Sequence, residues 1–352
     1  MTNATRICVV GAGRVGQVHS GTLVNSVPEA RLAALVDQNA EALGKVADRF
    51  GVEARFTSLE QALEGVAFDA VVLTTPTFTH RDLAVTAASA GKHVFCEKPM
   101  ALTLAECNDM IAAAERASII FQLGFMRRFD PDFEAAWARI EAGEIGRPMV
   151  VKSLTHGPGL PPAWARDLRT SNGMLAEVNS HDWDTVRWLT ASDPERVYAE
   201  VANFKGERDG VHTEHFYDNA LVNVRFESGA LGSISGICPC DYGYDARVEI
   251  VGEKGLMQIG DVRGQSVVVC TSRDHGLVTP IFRTWPERFA AAYIREMKHF
   301  ITCIRSGARP RAGGAEGRWA VAGVLAATRS FLEERSVRLA EVFGQSAAGA
   351  RG

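Results

Sequence analysis

The stretch "GMLAEVNSHDWD", Gly173 to Asp184, sets Glu177 and His181 four residues apart in an otherwise apolar run. On one helix that spacing puts both side chains on the same face. A carboxylate beside an imidazole can fix its tautomer and stabilise the imidazolium formed when the ring takes a proton, as a base in alcohol oxidation must. The same pair could be two metal ligands or a solvated helix face. A metal needs at least a third ligand, and no nearby His or Cys stands at helical spacing. Alone, the pair suits a solvated face. Asp182 and Asp184 read as residues that cap or solvate the helix.

A second signature is "VVGAGRVG", which places Gly11, Gly13 and Gly16 in G-x-G-x-x-G spacing with Arg14 and Val15 between the last two. The first glycine permits a tight turn, the second lets backbone approach a pyrophosphate, and the third lets helix and strand pack closely. The anion then sits on free N–H groups at the helix N-terminus. Asp37 closes the next apolar run, about twenty residues on, where a carboxylate accepts hydrogen bonds from ribose hydroxyls. It would repel a 2′-phosphate, and the following "QNAE" has no arginine to receive one. The expected cofactor is therefore NAD, with Arg14 the one residue that could favour NADP.

These residues need a frame. "RICVV", "RLAALVD", "DAVVLTT", "HVFCEKP" and "IIFQLGF" read as short buried strands, alternating with "VGQVHSGTLVN", "AEALGKVADRFG", "LEQALEG", "HRDLAVTAASAG" and "LAECNDMIAAAERA" as helices. That alternation implies an α/β Rossmann domain, a doubly wound parallel sheet, over residues 1–125. A helix over about 132–142 and one continuous helix across "GMLAEVNSHDWDTVRWLT" follow. Then come "ERVYAEVANF", "NALVNVRF", "GALGSISGI", "RVEIVGEKGLMQIG" and "SVVVCTS", joined by tight turns such as "ESG". They predict a second α/β domain over 126–340 with a large open, mainly antiparallel sheet. Helices over about 287–305 and 316–334 should pack back on one of the domains, and residues 341–352 read as a disordered tail.

The chain has 352 residues, 46% hydrophobic and 23% charged, the balance of a globular protein of two domains. A net charge of -4 gives no reason to expect nucleic acid. No apolar run is long enough for a membrane span, and no signal-like leader precedes the first strand. The seven cysteines are scattered and the "CPC" at Cys238 and Cys240 fits no common zinc or redox spacing. Reduced thiols in the cytoplasm are expected.

With "TTPTFTH" at Thr74 to His80, "EKP" at Glu97 to Pro99 and "GFMRRFDP" at Gly124 to Pro131, the chain resembles the Gfo/Idh/MocA oxidoreductases. "GMLAEVNSHDWDTVRWL", "YGYDARVEIVGEKG" and "ERFAAAYIREMKHF" extend the likeness, particularly to the inositol dehydrogenase branch. The resemblance implies that Lys98 touches the nicotinamide ribose and the substrate hydroxyl and that His181 is the general base. Glu177 stands where the family usually has Asp, adding a methylene to the site. Thr75, Pro76, His80, Glu97 and Arg127 are expected on the cofactor side. Arg127, His156, Trp164, Tyr242, Tyr244 and Tyr293 fall in segments resembling substrate-facing ones, although each could equally be packing. The family's open sheet commonly forms dimers or tetramers.

The motifs together favour the catalytic pair over the solvated face. They predict NAD-dependent oxidation of a secondary hydroxyl of a cyclitol, sugar or glycoside. Competing readings are a keto-sugar reductase, an enzyme whose retained NAD oxidises and re-reduces a glycoside within one turnover, and, from another class, a non-catalytic sensor. An intact Lys98 and His181 argue against the sensor, since a pure binder has no use for a base.

Overall fold

The computed structural model describes residues 4–206, 210, 215–264, 269–270, 277–278 and 280–348. The chain divides into two units, Met1–Asp130 with Ala291–Val321, and Pro131–Ala290 with Ala322–Gly352.

In the first unit, β1 (Thr5–Val10), β2 (Ala30–Val36), β3 (Arg55–Phe56), β4 (Ala70–Leu73), β5 (His93–Cys96) and β6 (Phe121–Leu123) form one parallel sheet of order β3-β2-β1-β4-β5-β6. Every residue of β4 is buried, as a strand covered on both faces requires. Crossover helices Arg14–Ser26, Ala40–Phe50, Leu59–Gly65, His80–Ser89 and Leu104–Arg116 match the predicted ones to within two residues. Their starts are chemically marked, by Asn39, by Ser58 and by a Thr103/Glu106 capping box. The strand order reverses between β1 and β4, so a crevice opens at their carboxyl ends. The two-residue edge strand β3 carried no readable pattern.

The predicted boundary needs two corrections. Residues 291–321 were expected in the second domain, but the helix Ala290–Ser306 places Met297, Phe300 and Ile301 in one core with Val72 and Phe95. Its apolar face completes the parallel sheet's cover, which assigns the segment to the first unit. The tail is a helix, Leu339–Ala348, rather than disordered from 341. Leu339 and Val342 are buried, and Glu341 accepts from the Arg338 amide and pairs with Arg335.

The second unit contains β7 (Pro148–His156), β8 (Pro194–Ala202), β9 (Asn219–Phe226), β10 (Leu231–Ile237), β11 (Asp245–Gly252) and β12 (Leu256–Ile259). A separate pair, β13 (Val269–Cys270) and β14 (Leu277–Val278), is followed by β15 (Val337–Arg338). The large sheet has order β12-β11-β7-β10-β9-β8-β15, antiparallel throughout except for the parallel β7/β10 pair. Most of "SVVVCTS" lies outside the described residues. The helix Ser180–Thr190 covers one face, with Asp182 bonded to Ser153 and Thr155 of β7. The other face exposes Tyr198, Leu221 and Leu231. Among the described residues no helix is long and apolar enough to cross a membrane.

Candidate active site

The glycine loop follows β1. Gly11 has φ +106°, and a Cβ there would lie 2.7 Å from Thr74 Oγ1. A Cβ on Gly16 would lie 1.8 Å from the Gly11 carbonyl oxygen, so both positions require glycine. Gly13 is different. A Cβ on it would meet nothing within 4 Å, and it caps the helix Arg14–Ser26 without a side-chain hydrogen bond. Bare N–H groups therefore face open space at a helix N-terminus, a cradle for an anion. Half-buried Asp37, one residue past β2, accepts from the Ala12 amide at 2.6 Å and the Asn39 amide at 2.8 Å. Arg14 is exposed and Val15 half-buried. The residues present fit a dinucleotide with free ribose hydroxyls.

Around the ends of β4 and β5 the predicted residues separate into two groups. Thr75, Pro76 and Lys98 are partly exposed. His80 is buried, with Nδ1 2.8 Å from the Pro99 carbonyl and Nε2 2.9 Å from the Thr75 carbonyl. Burial holds its imidazole below the ordinary histidine range. With both ring nitrogens occupied, His80 joins the loops that carry Thr75 and Pro99. Glu97 is likewise turned inward, its Oε1 2.7 Å from His19 Nε2 and its Oε2 accepting from the Lys98 amide at 3.2 Å. Arg127 is buried in the turn Met126–Phe129. The Tyr293 ring, expected at the substrate, packs edge-on against His19 at 5.5 Å.

In the second unit the single helix predicted across Glu177 and His181 is two, Met174–Glu177 and Ser180–Thr190. Asn179, between them, sends its side-chain amide to Asp182 Oδ2 at 2.8 Å and to the Ser235 carbonyl at 3.3 Å. These tertiary bonds set the break, so i,i+4 spacing on a continuous helix does not describe the pair. His181 is buried in the first turn of its helix and Glu177 is half-buried at the end of the preceding one.

Asp182 neither caps nor meets solvent. Fully buried, it accepts from Ser153 Oγ at 2.5 Å, Thr155 Oγ1 at 2.6 Å and Asn179, which bolts the His181 helix onto β7. Asp184 is buried as well.

Strand alternation places His156 on the sheet face opposite Thr155. There its Nδ1 meets the Tyr242 hydroxyl and its Nε2 lies 3.1 Å from Ser235 Oγ. Tyr242 also donates to Asp245 Oδ2 at 3.1 Å, and Asp245 is held by Arg247. The structure thus brings His156 and Tyr242 together, but across the sheet from the helix that carries His181. Tyr244 is buried, edge-on to Phe289 at 6.1 Å. Trp164 is half-buried in the turn Ala163–Arg166.

Residues 5–125 match the oxidoreductase family with an NAD-binding Rossmann fold, and residues 133–258 match the GFO/IDH/MocA C-terminal domain. The chain belongs to the Gfo/Idh/MocA oxidoreductases. It is 35% identical to the myo-inositol 2-dehydrogenase of Thermotoga maritima, over 96% of this chain and 100% of the relative. It is 34% identical to the scyllo-inositol 2-dehydrogenase (NAD(+)) of Bacillus subtilis, over 96% and 97%. The scyllo-inositol dehydrogenase of Lactobacillus casei, solved with NAD(H) and scyllo-inositol, superposes with TM-score 0.88 at 25% identity, covering 96% and 100% of the two chains. This Gfo/Idh/MocA member is an NAD-dependent oxidoreductase that acts on CH–OH groups. Among its described residues no cluster of three or more His, Cys, Asp or Glu could hold a metal ion.

Sequence reasoning missed His19, Glu296 and the bracing role of Asp182. His19 stands three residues after Gly16, and its only sequence signal was a polar ring on the inner side of an amphipathic helix.

Proposed function

We propose that the substrate is a cyclitol of the inositol class, oxidised at one ring hydroxyl to the ketone. The observation that carries this reading is similarity along 96% of the chain to a myo-inositol 2-dehydrogenase. Bound NAD supplies the hydride acceptor, nicotinamide C4. In the reading we propose, His181 takes the hydroxyl proton and the Lys98 ammonium stabilises the developing alkoxide. Glu177 tunes the charge around His181. Asp37 selects the cofactor by accepting from ribose hydroxyls. Trp164 and Arg127 remain proposed for substrate or cofactor contact, and His80 and Glu97 for holding the loops that carry Thr75, Pro76 and Lys98.

We also propose that the open sheet face with Leu221, 63% exposed, and Leu231, 49% exposed, joins copies into a dimer or tetramer. The cytoplasm suits the chain, since Cys8, Cys96, Cys107, Cys238, Cys240 and Cys303 are free thiols.

The test is absorbance at 340 nm with NAD and a panel of inositol stereoisomers, aldoses and glycosides. Turnover of an inositol with the highest kcat/KM of the panel is expected. Turnover confined to aldoses or glycosides would overturn the substrate assignment and leave the dehydrogenase intact.

A further inference from the structure

Behind β5 lies a buried polar cluster that the reaction above does not use. His19 is fully buried on the cradle helix Arg14–Ser26, held edge-on between Phe95 at 5.1 Å and Tyr293 at 5.5 Å. These rings leave Nε2 one direction, toward Glu97 Oε1 at 2.7 Å. The Glu97 carboxylate has little freedom of its own. A Cβ on Gly124 would lie 2.9 Å from its Cδ, so a glycine there makes room for it. Its other oxygen takes the Lys98 amide.

Glu296 approaches the cluster from the helix Ala290–Ser306, fully buried, and neither carboxyl oxygen has a hydrogen-bond partner. A charge there would have no compensation, so burial favours the protonated form of the Glu296 carboxyl. Gln122, also fully buried, donates to the Glu296 backbone carbonyl at 3.3 Å.

We propose that His19 is a positioning residue of the dehydrogenase: by gripping the Glu97 carboxylate it ties the backbone of Lys98 to the helix that presents the phosphate cradle. The chain of contacts runs from the cradle helix through His19 Nε2 and Glu97 to the Lys98 amide. An imidazole ring wedged between two aromatic rings is stiff, so the lysine is located by packing rather than by its own flexible stem. Without the grip, the carboxylate loses its ring partner and the Glu97–Lys98 peptide is free to shift.

This inference rests on the role of Lys98 proposed above, and the experiment separates the two. His19→Phe keeps a ring between Phe95 and Tyr293 but removes the donor. His19→Gln carries an amide nitrogen near the position of Nε2. Kinetics on an inositol and calorimetric titration of NAD are measured for each, with Lys98→Ala alongside. The Phe variant is expected to lower kcat about 10- to 100-fold, the worth of a small misplacement of a reacting group. NAD affinity should stay within about threefold, because the cradle amides at Gly13 to Val15 lie more than a turn from His19 and the ring bonds Glu97 instead. The Gln variant should recover most of the loss.

A folded His19→Phe with kcat within about twofold of wild type overturns the inference, as does a Gln variant no better than Phe. If Lys98→Ala retains turnover, the role of Lys98 has failed instead. Should the Phe variant not fold, His19→Asn replaces it. Its shorter amide mimics Nδ1 and cannot reach Glu97, so the contrast with Gln decides.

Discussion

Asp37 Oδ2 accepts the Ala12 amide at 2.6 Å, which ties the carboxylate beyond β2 to the middle of the glycine loop. The residue proposed to select the ribose is thus also bonded to the phosphate turn. NAD is expected to exceed NADP in kcat/KM by at least about tenfold, equivalent to roughly 1.4 kcal/mol. Asp37→Ser should narrow the ratio mainly by weakening NAD, since the loop loses a brace along with the ribose contact. Steady-state kinetics with both cofactors check this, and equal use by the wild type would contradict it.

His181→Asn should lower kcat on the polyol by about 10²- to 10⁴-fold, the usual contribution of a positioned base, with NAD affinity nearly unchanged. Glu177→Gln should cost less, because it removes charge and keeps a polar group. Glu177→Asp restores the residue usual in the family and should retain activity while altering which stereoisomers react. Turnover intact in both His181→Asn and Glu177→Gln would mean that the base lies elsewhere.

Asp182 gathers Ser153, Thr155 and Asn179, so Asp182→Ala strands three donors in the interior. A loss of about 3 kcal/mol in urea unfolding is expected, together with reduced kcat as the His181 helix loosens on β7. Asp182→Asn should cost less, since the hydroxyls of Ser153 and Thr155 can turn to meet its amide. An alanine variant as stable as wild type would show that the brace is dispensable.

Burial, reinforced by the Glu97 charge, holds the Glu296 carboxyl well above the ordinary carboxylate range. The unfolded chain releases that proton near pH 4.3, whereas the folded chain keeps it, so the folded state binds more protons and loses stability as pH rises through this window. Glu296→Gln mimics the neutral acid. It should melt higher than wild type at pH 7.5, with the difference closing as pH falls toward about 4. A variant that is less stable at neutral pH would show that Glu296 is ionised.

Light scattering should find a dimer or tetramer at micromolar concentration. Leu221→Glu with Leu231→Glu should reduce the assembly, because charge on an apolar face opposes its burial. An unchanged assembly would place the interface elsewhere.

The first unit was largely legible because its signals are local. Apolar four-residue runs mark buried strands, and Gly11 and Gly16 are demanded by backbone geometry within a single turn. β7, in the middle of the second sheet, was invisible for a physical reason. Its inward residues Ser153 and Thr155 are polar because they serve Asp182, which removes the alternation that announces a strand. His19 and Glu97 meet across 78 residues, and no periodicity reports such a pairing. The break at Asn179 arises in the same way, from bonds to Ser235 on another strand. The class of reaction was named from the motifs taken together and the family they resemble; the buried polar contacts around the proposed site residues were not legible.

The return of Ala291–Val321 to the first unit has a consequence for synthesis of the chain. Domains usually fold in the order in which they leave the ribosome. Here the segment Pro131–Ala290 emerges before the first unit has its last helices, so the earliest part of the chain is among the last to be finished. Until Met297, Phe300 and Ile301 arrive, the nascent parallel sheet shows the apolar side around Phe95, and the cluster of His19, Glu97 and Glu296 lacks one wall. Cofactor-binding competence should therefore appear late in translation, after strands β7 to β12 of the other sheet have emerged.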